Sequence, residues 1–303
     1  MKPRTVLVGT DWWTDCDDVA AMRVLVWAEK QRMIDIMAIG INACMEYSVM
    51  SLDAFLQEEG RPGVPIGIDH KATDFGGNPP YQKNMAAGTH STRTNADCED
   101  AVRVYRRSLA HAQDKLDVVE IGYPQVLANL LLSPGDDISP LTGLELVSCK
   151  VNKLWMMAGN WGDEGNGVEN NFARNPRSRA AGSYLCVHWP TAITFLGWEV
   201  ANNILTGGTL TSSTDLVAQA MRDHNSSRGR SSWDPMLVLL ACQGDETEAG
   251  YRTITGTARV DEQTGRNSFE ILPNGNHSYV IKTKPDEYYK AAIDNILESM
   301  QRA

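Results

Sequence analysis

Short apolar, β-branched runs alternate with stretches of helical spacing along most of this chain, and that alternation restricts it to an α/β architecture. Strand-like runs fall at residues 6–8, 34–41, 64–68, 116–122, 153–158 and 192–196. Between them, apolar residues recur three and four apart over 19–27, 45–59, 98–114, 124–132, 140–150 and 176–187, which predicts helices. Parallel strands need long crossovers, and a helix is the usual one. The expectation is a mostly parallel central sheet with helices on both faces. The remainder reads differently. Helices are expected over 213–224 and 235–241, then strands over 251–260, 268–272 and 278–283 with turns at 262–266 and 273–276. That is a C-terminal antiparallel hairpin region, closed by an amphipathic helix over 285–302. No repeat, low-complexity tract or linker interrupts the sequence, so residues 1–303 are read as a single domain.

The turn after the first strand concentrates the chemistry. The run ends at Gly9 and Thr10, and Asp11, Asp15, Asp17 and Asp18 follow within eight positions, before the first helix. Carboxylates this close repel one another unless protonation or a cation relieves them. Hard cations such as Ca2+ take several oxygen ligands, commonly from Asp. In a parallel sheet the crevice at the C-terminal strand ends is where ligands bind. Other strand ends also collect polar residues: Asn42, then Gly122-Tyr123-Pro124-Gln125, then AGNWGDEGNGVENN over 158–171. Ser231-Ser232-Trp233-Asp234-Pro235 opens a late helix, where Asp234 also suits an N-cap. Residues 70–95 are rich in Gly, Pro and Asn and read as a lid or binding loop.

Charge narrows the partners. Against 38 Asp and Glu stand 28 Lys and Arg, a formal net charge of −10. That disfavours nucleic acid and anionic membrane but not a neutral sugar or nucleoside. No apolar run is long enough to span a bilayer. Residues 1–4 lead into the first strand without the pattern of a secretory leader, so a cytoplasmic location is expected. Six scattered cysteines form no CxxC and read as reduced packing residues. Cys16 reads as a spacer whose thiol the neighbouring acids hold protonated.

Taken together, these residues resemble the nucleoside hydrolases of the inosine–uridine preferring type, in a divergent branch. The family carries D-x-D-P-G-x-D-D after its first strand; here the segment is Asp11-Trp12-Trp13-Thr14-Asp15-Cys16-Asp17-Asp18, which keeps the first Asp and the final pair. The similarity continues through Gly63-Val64-Pro65-Ile66, Met157-Ala158-Gly159, Glu169-Asn170-Asn171, Asn175-Pro176 and Asp234-Pro235, in the family's order. The resemblance implies one Ca2+ holding the attacking water and two ribose hydroxyls, a small-molecule nucleoside substrate, and a homodimer or homotetramer. Carried over by position, Asp18 and Asp234 are metal ligands and Gly122 offers a main-chain carbonyl. Asp17, Glu169, Asn171 and, two residues less certainly placed, Asn42 become ribose contacts, with Asn160 or Asn166 as a further one.

Two positions depart from the pattern. The family's middle Asp, a ligand and general base, aligns with Trp13, so Asp15 or Asp11 is expected as ligand and base, Asp15 first by position. The leaving-group His aligns with Trp233. An aromatic face could come from Trp12, Trp13, Trp161 or Trp233, each of which suits packing equally. His224, Arg228 and Arg230 could assist departure of the base or form a solvated loop.

The implied reaction builds positive charge on the sugar, which carboxylates stabilise. The competing readings are a nucleoside- or sugar-binding protein that has lost turnover, and a hydrolase of a different or modified glycoside. His70, His90, His111, His188 and His277 show no H-x-x-x-H spacing, and the chain has neither G-x-S-x-G nor a P-loop, which argues against zinc, serine-hydrolase and phosphate-loop chemistry. The Gly207-Gly208 pair reads as a turn.

Overall fold

A computed structural model of the chain describes residues 2–88, 91–162 and 165–301. His90 and Arg302, and Asp163 and Glu164 of the 158–171 loop, lie outside the described residues. The first half runs β1 (Arg4–Thr10), α1 (Asp17–Lys30), β2 (Ile34–Ile41), α2 (Ser48–Glu58), β3 (Ile66–Ile68), α3 (Pro80–Ala87), β4 (Glu99–Asp100), α4 (Ala101–His111), β5 (Leu116–Glu120), α5 (Gln125–Leu132), α6 (Gly143–Lys150) and β6 (Val151–Met157). The second half runs β7 (Gly167–Val168), α7 (Asn170–Ala173), α8 (Pro176–His188), β8 (Ala192–Leu196), α9 (Trp198–Ala201), β9 (Leu205–Thr206), α10 (Leu216–Asp223), β10 (Arg230–Ser231) and α11 (Trp233–Gln243). It closes with β11 (Tyr251–Val260), β12 (Arg266–Ile271), β13 (His277–Lys282) and α12 (Asp286–Ser299).

One sheet of eleven strands orders them β4-β3-β2-β1-β5-β6-β8-β13-β11-β12-β7. From β4 to β13 each strand is parallel to its neighbour. Only β11, β12 and β7 then pair antiparallel, so the C-terminal strands extend the central sheet. β9 and β10 form a separate two-stranded antiparallel ribbon.

Strand side chains alternate between faces, and β1 shows the consequence. Val6 and Val8 join one core with α1, α2, α10, α11 and α12, while Leu7 joins the other with α4, α5, α6 and α8. Helices therefore cover both faces, as a parallel sheet requires. From β1 the chain first builds outward through β2, β3 and β4, then returns to lay β5, β6 and β8 on the other side. β1 and β5 thus flank a topological switch point, and the crevice opens at their C-terminal ends.

Local capping moves several expected boundaries. α4 begins at Ala101 because the Asp100 carboxylate accepts the Val102 N–H at 2.9 Å. α6 begins at Gly143 because Thr142 and Glu145 form a capping box. Among the described residues of 70–95, α3 forms where a loop was expected, and Phe75, Tyr81, Gln82 and Met85 are buried. Behind the site, the buried Arg23 of α1 pairs with Glu59 at 2.6 Å and with Asp215, the N-cap of α10, at 2.8 Å. No helix among the described residues is long and apolar enough to cross a membrane.

Candidate active site

The acidic turn wraps around its own carboxylates. Thr10 Oγ1 donates to Asp18 Oδ1, and the Trp12 N–H donates to the same carboxylate oxygen at 3.1 Å. Asp11 Oδ1 accepts the Trp13 N–H at 3.0 Å. Trp12 and Thr14 hold left-handed φ values of 48° and 57°, a costly conformation for residues other than Gly. Burial of two indoles secures that strain. Trp12 packs on Phe55 and Tyr81 and donates Nε1–H to Ser51 Oγ at 2.8 Å. Trp13 packs on Phe75, lies under the Arg174 guanidinium, and donates Nε1–H to the Gly77 carbonyl at 2.7 Å.

Two helix N-termini meet at these acids. Asp17 and Asp18 occupy the first turn of α1, and Asp234 the first turn of α11. The Asp234 N–H donates to Asp17 Oδ2 at 3.3 Å. One carboxylate oxygen from each of Asp17, Asp18 and Asp234 lies within 4.8 Å of the others, and all three residues are buried. The helix dipoles favour anions at this position. Asp11 is a charged neighbour of Asp18 and lines the same cavity. Burial first, and the neighbouring carboxylates second, hold Asp18 and Asp234 well above the ordinary carboxyl range; burial also dominates at Asp11 and Asp17.

These acids floor a cavity of about 250 Å³ at the C-terminal ends of β1, β5 and β6. Glu169 and Asn171 line one wall, with Asn170, Met157 and Ile121. Glu169 accepts N–H bonds from Gly159 at 3.0 Å and Asn171 at 2.6 Å, yet burial pushes its carboxyl up to about 7. Asn171 Nδ2 donates to the Met157 carbonyl at 2.9 Å. The more open edge carries Thr14, Asp15, Trp198, Arg230 and Trp233.

Not every candidate residue meets the acid floor. Asp15 does not join the acid floor: Arg230, brought in by β10, takes it in a bidentate pair, with Nε 2.8 Å from Oδ1 and Nη2 2.5 Å from Oδ2. Asn42 lies outside the cavity lining. Its Nδ2 donates to Glu120 at 2.8 Å and its Oδ1 accepts the Tyr123 N–H at 2.9 Å, so it braces the β5 turn from below. Ile121 rather than Gly122 lines the cavity, and the Gly122 N–H donates to Glu120 at 2.9 Å. Asn160 is held by Asn267 from both sides, its N–H donating and its carbonyl accepting, and Asn166 is exposed; neither lines the cavity. His224 sits behind Asp15 at 3.9 Å, bonded to Ser226, and Arg228 is exposed. Trp161 stacks on Tyr279 in the core. Of the four indoles considered from sequence, Trp13 and Trp233 line the cavity. Trp198 and Asn170 are additional lining residues. Asn170 follows Glu169 in the E-N-N run, whereas Trp198 carried no sequence signal.

An all-oxygen set of three buried carboxylates with a fourth beside it suits a hard divalent cation, and Ca2+ above softer metals. The alternative way to hold these acids in a dry floor is to keep protons on them, which their raised pKa values express.

The parallel sheet with its antiparallel extension is the fold shared with solved nucleoside hydrolases. Among solved structures, the purine-preferring ribonucleoside hydrolase from Gardnerella vaginalis superposes with a TM-score of 0.73 at 16% identity, over 98% of this chain and 99% of that one. The inosine-uridine preferring nucleoside hydrolase from Bacillus anthracis gives 0.69 at 12% identity, over 97% and 99%. The type III effector protein XopQ, complexed with adenosine diphosphate ribose, gives 0.70 at 13% identity, over 99% and 95%. No family model and no curated protein matches the sequence.

Proposed function

We propose that this chain is a Ca2+-dependent hydrolase of the N-glycosidic bond in a ribonucleoside or related N-riboside, releasing ribose and the free base. The observation that carries the proposal is the meeting of Asp17 and Asp18 on α1 with Asp234 on α11, 217 residues beyond Asp17, on the floor of a cavity in this fold. Asp18 and Asp234 are assigned as cation ligands, with Asp17 facing both cation and sugar. A divalent cation held there supplies Lewis acidity to a water and to ribose hydroxyls.

The chain's own groups do the rest. Asp11, beside Asp18 and open to the cavity, is assigned as the base that takes the proton of the attacking water, in place of Asp15, which Arg230 occupies. Glu169 and Asn171 orient the sugar by its hydroxyls. With a carboxyl near 7, Glu169 is poised to accept or to donate a hydrogen bond at neutral pH. The ionised floor favours the oxocarbenium-like charge that grows on the ring as the bond breaks.

Incubation with a panel of ribonucleosides, with Ca2+ or with chelator, tests the reading through release of reducing sugar. Release from at least one substrate, abolished by chelator, is expected; no release from any member would count strongly against hydrolysis. A second reading, binding without turnover, is favoured by Trp13 and Trp233 standing where the family carries an acid and a His. Calorimetric binding with the ligand recovered intact would support it. The homodimer or homotetramer implied by the resemblance is checked by light scattering of the purified protein.

A further inference from the structure

Arg230 is the one cation among the described residues that line the cavity, against six carboxylic acids. It sits at the more open edge, half-buried, while Asp11, Asp17, Asp18 and Asp234 lie beneath. The two-stranded ribbon sets its backbone, with Arg230 paired to Thr206. Asp15 fixes the head group through Nε and Nη2, and Asp15 is itself anchored by the Cys16 N–H at 2.7 Å. The guanidinium lies over the Trp233 ring at 5.1 Å, and Trp233 Nε1–H is tied to the Trp198 carbonyl at 2.9 Å. Nη1 has no protein acceptor among the described residues. A guanidinium is thus oriented in advance, with donors to spare, over the Trp233 indole.

We infer that Arg230 stabilises the leaving group as an anion, with Asp15 as its positioning residue. This rests on the hydrolase reading. Sugar hydroxyls belong with the carboxylate floor, so the group attached at the anomeric carbon projects toward the indoles and Arg230. As the C–N bond breaks, its electron pair moves onto the departing nitrogen heterocycle. Water forms the new C–O bond and loses its proton to Asp11. Arg230 donates hydrogen bonds to the ring oxygen or nitrogen that gathers the charge, and keeps its own protons, because a guanidinium does not deprotonate in proteins. The free base then takes a proton from solvent. The substrate class follows: ribosides whose aglycone can leave as a delocalised anion with an acceptor atom on its edge. Protonation by an imidazole, the role that Trp233 cannot fill, is not required.

The test is a series of ribosides graded by leaving-group acidity, from p-nitrophenyl riboside through uridine to purine ribosides, assayed with the full chain, Arg230→Gln, Arg230→Lys and Asp15→Asn. Arg230→Gln is expected to lose about 10²-fold in kcat/KM on the poorer leaving groups and far less on p-nitrophenyl riboside, so that the rate depends more steeply on acidity. Arg230→Lys restores part of the loss, and Asp15→Asn steepens the dependence by a smaller amount. Equal losses of the variants across the series, with the slope unchanged, would overturn the assignment while leaving the hydrolase reading intact. No turnover of any riboside by the unmodified chain would overturn both. Thermal unfolding of each variant identifies a loss that comes from folding alone, since such a loss leaves the slope unmoved.

Discussion

Glu120, at the end of β5 beneath the acid floor, offers a test with a defined sign. Its Oε1 accepts the Gly122 N–H at 2.9 Å and Asn42 Nδ2–H at 2.8 Å, while Oε2 has no partner. Burial lifts its carboxyl from 4.5 to about 8. A raised carboxyl stabilises the fold fully below the unfolded value of 4.5, and that stability drains away as pH rises toward the folded value of about 8. At 1.36 kcal/mol per pKa unit, the drain between pH 5 and pH 8 comes to about 3 kcal/mol. Glu120→Gln keeps the volume and the Oε1 acceptor but cannot ionise. Urea unfolding in chelator, at several values from pH 5 to pH 8, should show the two proteins nearly equal at pH 5. At pH 8 the variant should be more stable by about 3 kcal/mol, because the other acids are common to both chains. A difference that stays constant with pH, or a variant that is the weaker one at pH 8, would refute the reasoning.

Divalent cation should raise the melting temperature of chelated protein, and by more at pH 8 than at pH 5.5, because protons and cation compete for the raised carboxyls; differential scanning fluorimetry reads both. Asp18→Asn should weaken the Ca2+-dependent part of that rise strongly, whereas Asn42→Ala should act through stability and leave the rise in place, since Asn42 braces the loop from outside the cavity. Arg23→Met removes the shared partner of Glu59 and Asp215 and should cost about 3–5 kcal/mol in urea unfolding, the usual effect of orphaning a buried charge. Gly9→Ala should destabilise by about 1–3 kcal/mol in the same assay, because the added methyl would stand 2.0 Å from the buried Glu120 carboxylate.

Much of the fold, and the acidic cluster of the candidate site, was readable in the sequence for a physical reason. Apolar runs mark β1, β2 and β5 because helices cover both faces of the sheet, and α1 is recognisable because it packs on one of those faces. The acids of the first turn were recognisable as a group because one short turn confines them. What could not be read was which distant residue each polar group meets. Asp15 stood first as base by its position in the turn, yet Arg230, 215 positions on, claims its carboxylate. Asn42 sits at the right strand end but points down to Glu120. Residues 70–95 looked like an open loop by composition, yet Phe75 stacks on Tyr123 with centroids 4.1 Å apart and Tyr81 packs on Trp12. The short ribbon of β9 and β10 is two residues per strand, too brief to leave a periodic signature, although it is what carries Arg230 to the site.

The central claim is that Asp18 and Asp234 share a divalent ion. An anomalous difference map from crystals grown with Ca2+ tests it most directly. The expected result is a single strong peak about 2.3–2.6 Å from oxygens of both residues, with Asp11 or Asp17 close by and Asp15 still on Arg230. A map with no peak between Asp18 and Asp234, while Ca2+ binds elsewhere or not at all, would contradict it.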